Sequence, residues 1–337
     1  MKPASSHPET TLDRRVCVAP MMDYTDRHFR FLLRCLSPGA LLYTEMITTQ
    51  ALLRGDVARH LAFDKTEHPV ALQLGGSEAG DLALAARLGA DAGYDEINLN
   101  CGCPSDRVHS GRFGACLMAE PERVAAAVAS MSAAVSVPVT VKCRIGIEPG
   151  QVGDDYENLR TFIDVVASAG CKVFILHARK AVLNGLSPKQ NREIPPLRYD
   201  IVAQLRADFP QLTLVLNGGI CNVAEVRAHL ATFDGVMLGR EICQNPYLLA
   251  ELHQAIYAPE WELPTRESVV DRYASYVDVR LAEGHRLASM LRHALPLYAS
   301  RPGGRAWRRY LSERASMSTS TSDLLRQALR LTVGQAA

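Results

Sequence analysis

Residues 69–104 read PVALQLGGSEAGDLALAARLGADAGYDEINLNCGCP. The segment opens on a short apolar run, breaks at Gly75-Gly76, continues with apolar residues at helical spacing, and closes on a second apolar run. Short runs bounded by glycine are the mark of strands, and the spacing of three to four between them is that of a helix. Strands at 69–76 and 95–100 joined by a helix form a βαβ unit, and such a crossover makes its two strands parallel.

The same unit recurs outward in both directions. The pattern predicts further strands at 16–20, 40–46, 137–146, 171–179, 212–219 and 234–240, with amphipathic segments such as PERVAAAVASMSAAV, YENLRTFIDVVASAG, YDIVAQLRADF and VAEVRAHLATF between them. Continuous apolar strands alternating with helices imply an α/β protein whose parallel sheet is covered on both faces. Eight units over about 240 residues match a (β/α)8 TIM barrel. A doubly wound open sheet is the competitor, but the first turn, APMMDYTD, lacks the glycine fingerprint of that fold. After the break at APEWELPT no strand candidate remains, so residues 1–258 read as the barrel and 259–337 as a small helical domain.

The chain has 337 residues, 47% hydrophobic and 22% charged, with net charge +1, ordinary values for a globular protein. MKPASSHPETTL has no apolar core of a secretory signal, and no apolar run approaches the roughly 20 residues of a membrane span. A cytoplasmic enzyme with reduced cysteines is the expectation, and nothing suggests more than a monomer. The average conceals one local feature. Gly284–Ser312 holds six arginines and two histidines without any Asp or Glu. Such an excess suits a polyanion, although a solvated helix face would look the same by composition.

Barrel enzymes place their chemistry at the C-terminal strand ends. Those ends carry Pro20-Met21-Met22, Glu45, Gln73, Asn98 with Asn100, Lys142 with Arg144, His177 with Arg179, Asn217-Gly218-Gly219, and Gly239-Arg240. Glycines after strands seven and eight let backbone N–H groups approach a phosphate, with Arg240 adding charge; tight βα turns are the plain alternative. Lys142 could be a rim lysine or a Schiff-base lysine, and His177 a structural histidine. Taken together, a phosphate at strands seven and eight and a polar ring across the mouth suit flavin mononucleotide (FMN). Gln73 and Lys142 would then meet the ring edges.

Cys101, Cys103 and Cys116 are poor zinc ligands, since a closed site wants four and no second pair is near; no metal is expected. A redox pair would ordinarily be spaced CxxC. Cys103 instead stands just past a strand end, in a loop stiffened by Pro104 and followed by Gly111 and Gly114. A thiol of ordinary pKa, about 8.5, is protonated at neutral pH and can serve as a general acid.

These stretches, namely VAPMMDYTDRHFR, LLYTEM, ALQLGG, DEINLNCGCPSDRV, GACLM, VTVKCRIG, HARKAVLNGLSPKQNREIPPL, NGGI and DGVMLGR, resemble the tRNA-dihydrouridine synthase family over residues 16–250, with RAWRRYLSE in the tail adding to it. The HARKA…NREIPPL segment resembles its DusA subgroup in particular. The resemblance implies an FMN enzyme, reduced by NADPH, that saturates the C5–C6 bond of a tRNA D-loop uridine. For the subgroup the expected targets are uridines 20 and 20a. Hydride would pass from reduced FMN N5 to C6 and a proton from Cys103 to C5. It places FMN contacts on Pro20, Met21, Met22, Gln73, Lys142, His177, Asn217, Gly218, Gly219, Gly239 and Arg240. Substrate and tRNA contacts fall on Asn100, Arg179, Asn184, Ser187 and Lys189, joined by Lys180 and Arg192 on the same rim. The tail offers Arg286, Arg292, Arg301, Arg305, Arg308 and Arg309 for phosphates, with Trp307 and Tyr310 interleaved. Cys101 and Cys143 fall on variable positions, and EPGQVGDD (148–155) looks like an insertion. The rival readings are an FMN barrel acting on a free pyrimidine-like metabolite, a tRNA-binding chaperone without catalysis, and a lysine-dependent aldolase.

Overall fold

The computed structural model describes residues 12–105, 113–148, 155–315, 317 and 321–333. Gly111 and most of EPGQVGDD lie outside them. Eight parallel strands close into a barrel: β1 (Val16–Val18), β2 (Leu41–Thr48), β3 (Val70–Gly75), β4 (Glu96–Cys101), β5 (Val139–Arg144), β6 (Val173–His177), β7 (Thr213–Asn217) and β8 (Gly235–Leu238). Each strand pairs with its neighbours in sequence and β8 returns to β1, as a TIM barrel requires. All the anticipated strands are present, most with frayed ends trimmed. Two run further: β4 by one residue to Cys101, and β2 to Thr48, past a register shift between Tyr43 and Met46. Gly239-Arg240 differs too. The last paired residue is Leu238, and Gly239 leaves the extended conformation to cap a short helix, Arg240–Gln244.

Around the barrel lie α1 (Arg27–Leu36), α2 (Ala79–Asp91), α3 (Pro121–Ala134), α4 (Asp155–Ser168), α5 (Tyr199–Asp208), α6 (Val223–Leu230) and α7 (Leu248–Ile256). Local chemistry sets their starts. The Asp26 carboxylate accepts from the His28 and Phe29 N–H groups at the head of α1, and Pro121 occupies the first turn of α3. Side chains on each strand alternate between two separate cores. Cys17, Leu41, Tyr43, Ala71, Ile175, Val215 and Met237 fill the barrel, while Ile97, Leu99, Cys101, Val141 and Cys143 pack outward against the helices.

Beyond the barrel come α8 (Arg266–Ala282), α9 (Leu287–Ala294), α10 (Gly304–Arg314) and α11 (Asp323–Val333). The arginines around Trp307 make it look like a nucleic-acid contact in the sequence. It is instead fully buried, and its indole N–H donates to the Ala294 carbonyl at 3.0 Å. The reason is helical spacing: Trp307 and Leu311 turn inward one turn apart, which leaves Arg305, Arg308 and Arg309 on the opposite, exposed face of α10. Tyr310 is half-buried, donates to Gln327 and lies under the Arg314 guanidinium.

The helices dock on α1. Asp26 accepts from Arg292 at 2.7 Å and from His293 at 3.0 Å, and His293 stacks on Phe29. Arg292 is therefore committed to this junction. His28 Nδ1 lies 2.8 Å from the Tyr276 hydroxyl, with its ring edge-on to His285. Burial pushes the His28 imidazole down to about 4, a direction the neighbouring His285 and His293 reinforce against Asp26. A histidine whose folded pKa lies below its ordinary 6.5 leaves the folded state with fewer bound protons. Its contribution to stability is complete above pH 6.5 and declines as pH falls toward 4. Thermal unfolding followed from pH 7 to 4 should show that decline reduced in His28→Gln, and an identical pH profile in the variant would contradict the assignment.

Candidate active site

Alternation on β4 turns Glu96, Asn98 and Asn100 into the barrel, on the face opposite Ile97, Leu99 and Cys101. Register sets their partners: Gln73 stands beside Asn98, Thr140 beside Asn98 on the other side, and Lys142 beside Asn100. Gln73 Nε2 donates to Asn98 Oδ1 at 2.8 Å, and Asn100 Nδ2 donates to Gln73 Oε1 at 2.9 Å. The Asn100 carbonyl then accepts the N–H groups of Gly102 and Cys103, each at 3.0 Å. One side chain thus ties the strand to the loop that carries the thiol.

That loop is anchored from the other side by Arg144. Its guanidinium is buried and donates to the carbonyls of Gly102, Lys180 and Asn191 at 3.2, 3.0 and 2.8 Å. The half-buried Cys103 thiol reaches Ser105 Oγ at 3.5 Å, within electrostatic range of Lys142, Arg144 and Arg192. The adjacent cysteines differ in kind. Cys101 is fully buried against the helices, and burial drives its thiol well above the ordinary range. Cys143 behaves alike, pushed up to about 12 by burial. Cys116 donates to the Phe113 carbonyl at 3.1 Å. Among the described residues no group of three or more His, Cys, Asp or Glu could hold a metal ion.

Across the mouth, Lys142 Nζ donates to Asn217 Oδ1 at 3.1 Å, and Asn217 Nδ2 to the Met237 carbonyl at 2.7 Å. Desolvation, with Arg144 nearby, pushes the Lys142 ammonium down to about 8. His177 stands between these residues, and burial with the surrounding cations holds it far below its ordinary pKa, hence neutral. Gly218 and Gly219 both have positive φ, and a Cβ on Gly218 would meet His177 Cδ2 at 2.6 Å. The turn after β7 is therefore bare backbone by steric necessity, and a polar group can approach its surface.

On the opposite rim, Met21 N–H donates to Thr25 Oγ1 at 2.9 Å, which closes the turn Pro20–Asp26 and leaves Met22 and Tyr24 more than half exposed. Arg240 projects from beyond β8 but is engaged, donating to Glu193 at 2.7 Å and to the Arg192 carbonyl at 3.2 Å. Arg179 turns into the loop after β6, donating to the Glu193 and Pro195 carbonyls. Asn184, Ser187 and Lys189 are exposed along that loop. Its organiser is Asn191, fully buried, which accepts from Val182 N–H at 2.7 Å and donates to the Val182 carbonyl at 2.8 Å. Arg301, Arg305, Arg308 and Arg309 are exposed on the helical tail, without an ion-pair partner among the described residues.

Sequence reasoning does not single out Glu96, Thr140, Tyr43 and Arg14, which lie beneath this site, or Asn191. Glu96 was detectable: it is a charge inside an apolar strand, in phase with Asn98 and Asn100.

A closed (β/α)8 barrel with an isolated thiol, a cation of lowered pKa and a bare glycine turn at its C-terminal mouth defines a barrel enzyme rather than a binding module. Residues 17–333 match the family described as Dihydrouridine synthase (Dus), and the chain belongs to that family of flavin-dependent oxidoreductases. A tRNA-dihydrouridine(20/20a) synthase of Shewanella oneidensis is 52% identical over 319 residues, covering 94% of this chain and 93% of that protein. The enzymes of the same name from Synechocystis sp. and Pseudomonas putida are 53% and 52% identical, covering 93% and 99% of this chain and 93% and 98% of their own lengths. Among solved structures, morphinone reductase superposes with a TM-score of 0.50 over 71% of this chain and 85% of its own, at 14% identity, a likeness of fold.

Gly218→Ala tests the bare turn. Strain of about 1–3 kcal/mol at a positive φ should lower the melting temperature, and displacement of His177 should weaken flavin retention on dialysis. A variant that holds its flavin as the parent does would show that the turn faces something else.

Proposed function

We propose that the protein is a tRNA-dihydrouridine(20/20a) synthase that uses FMN and NADPH to saturate the C5–C6 bond of uridine in the tRNA D-loop. The observation that carries this reading is the Cys103 loop, pinned by Asn100 and Arg144 with its thiol within electrostatic reach of Lys142. The residues present fit the cofactor. Gln73 keeps one amide hydrogen and one carbonyl lone pair beyond its two bonds, as a ring edge carrying donor and acceptor needs. Lys142 supplies a cation beside it, and the Gly218-Gly219 turn gives backbone for the phosphate end. Gly239 lies along the same rim, and Arg240 joins the phosphate by exchanging its Glu193 partner. Pro20, Met21 and Met22 cover the other side. His177, neutral, serves as a hydrogen-bonding group rather than a charge.

When bound and reduced, the flavin supplies hydride to uridine C6. Cys103 delivers the proton to C5, so the base gains two hydrogens and the thiol is restored from solvent. Asn100 spends its carbonyl on the loop and one amide hydrogen on Gln73, so its second amide hydrogen is what it offers the uracil. The target base leaves its stack to reach the mouth. Recognition of a folded tRNA rests on backbone and shape. Lys189, Asn184 and Ser187 border the mouth, Arg179 shapes that loop from within, and Arg301, Arg305 and Arg308 bring cations from the helical domain. We assign residues 1–258 to the catalytic barrel and 259–337 to tRNA binding, in a monomer working in the cytoplasm, where tRNA is processed. No described helix is long and apolar enough to cross a membrane.

Incubation with unmodified tRNA and NADPH, followed by mapping of dihydrouridine, tests the reading. Dihydrouridine at positions 20 and 20a is expected, and turnover of free pyrimidines with none in tRNA would overturn it. Arg305→Ala with Arg308→Ala should flatten the salt dependence of tRNA binding by about 0.7–0.9 in log–log slope for each phosphate no longer neutralised. An unchanged slope would place the tRNA surface elsewhere.

A further inference from the structure

Beneath the groups assigned to flavin and uracil, the barrel interior contains a polar chain to which the proposed reaction gives no step. At its lower end Arg14 donates to Glu96 Oε2 from Nη2 at 2.5 Å and from Nε at 3.2 Å. The other carboxylate oxygen, Oε1, accepts from the Tyr43 hydroxyl at 2.6 Å and from the Thr140 hydroxyl at 2.7 Å. Glu96, Tyr43 and Thr140 are all fully buried. Above them, Asn98 Nδ2 donates to Thr140 Oγ1 at 2.8 Å, and Asn98 Oδ1 receives Gln73.

A carboxylate paired with a guanidinium offers acceptors only. Thr140 must therefore spend its single hydroxyl hydrogen on Glu96, and its oxygen is left to accept from the Asn98 amide. Asn98 then presents its carbonyl to Gln73, Gln73 its carbonyl to Asn100, and Asn100 its carbonyl to the Gly102 and Cys103 N–H groups. Each amide could in principle be turned by half a revolution at little steric cost. The chain forbids it, because one reversed member would set two donors or two acceptors face to face. We infer that Glu96, held by Arg14 and relayed through Thr140 and Asn98, is a positioning residue that sets the orientation of Gln73 and Asn100 and so holds the Cys103 loop.

This deepens the reading given above, since Gln73 and Asn100 are the groups turned toward flavin and uracil. One arm of its test is independent of that reading. In the full chain without cofactor, amide hydrogen exchange at Gly102 and Cys103 reports the two bonds to Asn100 directly. Thr140→Val keeps the shape and severs the relay, and it should speed exchange at those two amides about tenfold or more, while the amides of β6 and β7 keep their rates. Thr140→Ser, which restores a hydroxyl, should return them to within about threefold. Exchange that stays at the parent rate, or rises equally throughout the barrel, would overturn the inference by making Thr140 a packing residue. Should Thr140→Val not fold, Glu96→Gln carries the same measurement, because an amide no longer dictates which way Thr140 donates; an unchanged rate there also overturns it.

The second arm uses the loaded enzyme. Thr140→Val should lower kcat for tRNA about 10–100-fold with KM little changed, as expected for loss of a supporting shell. A parent-like kcat accompanied only by a lower Tm would contradict a positioning role. Failure of the parent protein itself to reduce tRNA would count against the proposed function and leave the exchange result standing.

Discussion

A strand that carries Glu96, Asn98 and Asn100 on one face can lie inside a barrel only if every polar group finds a partner there. That constraint governs what surrounds it. The carboxylate needs Arg14, Tyr43 and Thr140, the amides need Gln73 and Thr140, and the last carbonyl needs the two N–H groups of the cysteine loop. Removing one member of a buried charge pair costs about 3–5 kcal/mol, because its partner is left unmatched. The same rule that satisfies the interior thus also fixes the height and direction of the Cys103 loop.

The mouth above this chain is assembled from separate strands whose contributions have different physical origins. Burial, aided by Arg144, lowers the pKa of both Lys142 and His177, leaving the lysine a cation and the histidine neutral. Gly218 is dictated by the space that His177 occupies. Arg144 joins the cysteine loop to the loop after β6, which Asn191 folds upon itself. The helical tail is bolted to the other side of the mouth through Asp26, Arg292 and His293, one turn past Met21 and Met22.

Much of this was legible in the sequence. Strand and helix periods alone point to eight βα units, because parallel strands covered on both faces are apolar throughout and the glycines mark their ends. The strand-end positions Gln73, Asn100, Cys103, Lys142, His177 and Asn217 follow from the same phase, and the structure brings them to one mouth. What sequence could not supply were contacts set by helical phase and long-range packing. Trp307 reads as interleaved with the phosphate-binding arginines, yet its place on α10 faces the core. Arg292 reads as a free cation, but Asp26, 266 positions away, takes it. Asn100 reads as a substrate contact, whereas its carbonyl is spent within the protein; only the fold shows which hydrogen it has left.

In the proposed reaction, proton delivery rests on Cys103, one thiol among nine cysteines. The most direct measurement is a single turnover: enzyme-bound flavin is reduced without oxygen, unmodified tRNA is added, and reoxidation is followed by absorbance. Loss of a general acid costs about 10²–10⁴-fold, so Cys103→Ala should slow reoxidation by that order while Cys101→Ala keeps the parent rate. Equal slowing in both variants, or parent-like reoxidation in Cys103→Ala, would contradict it.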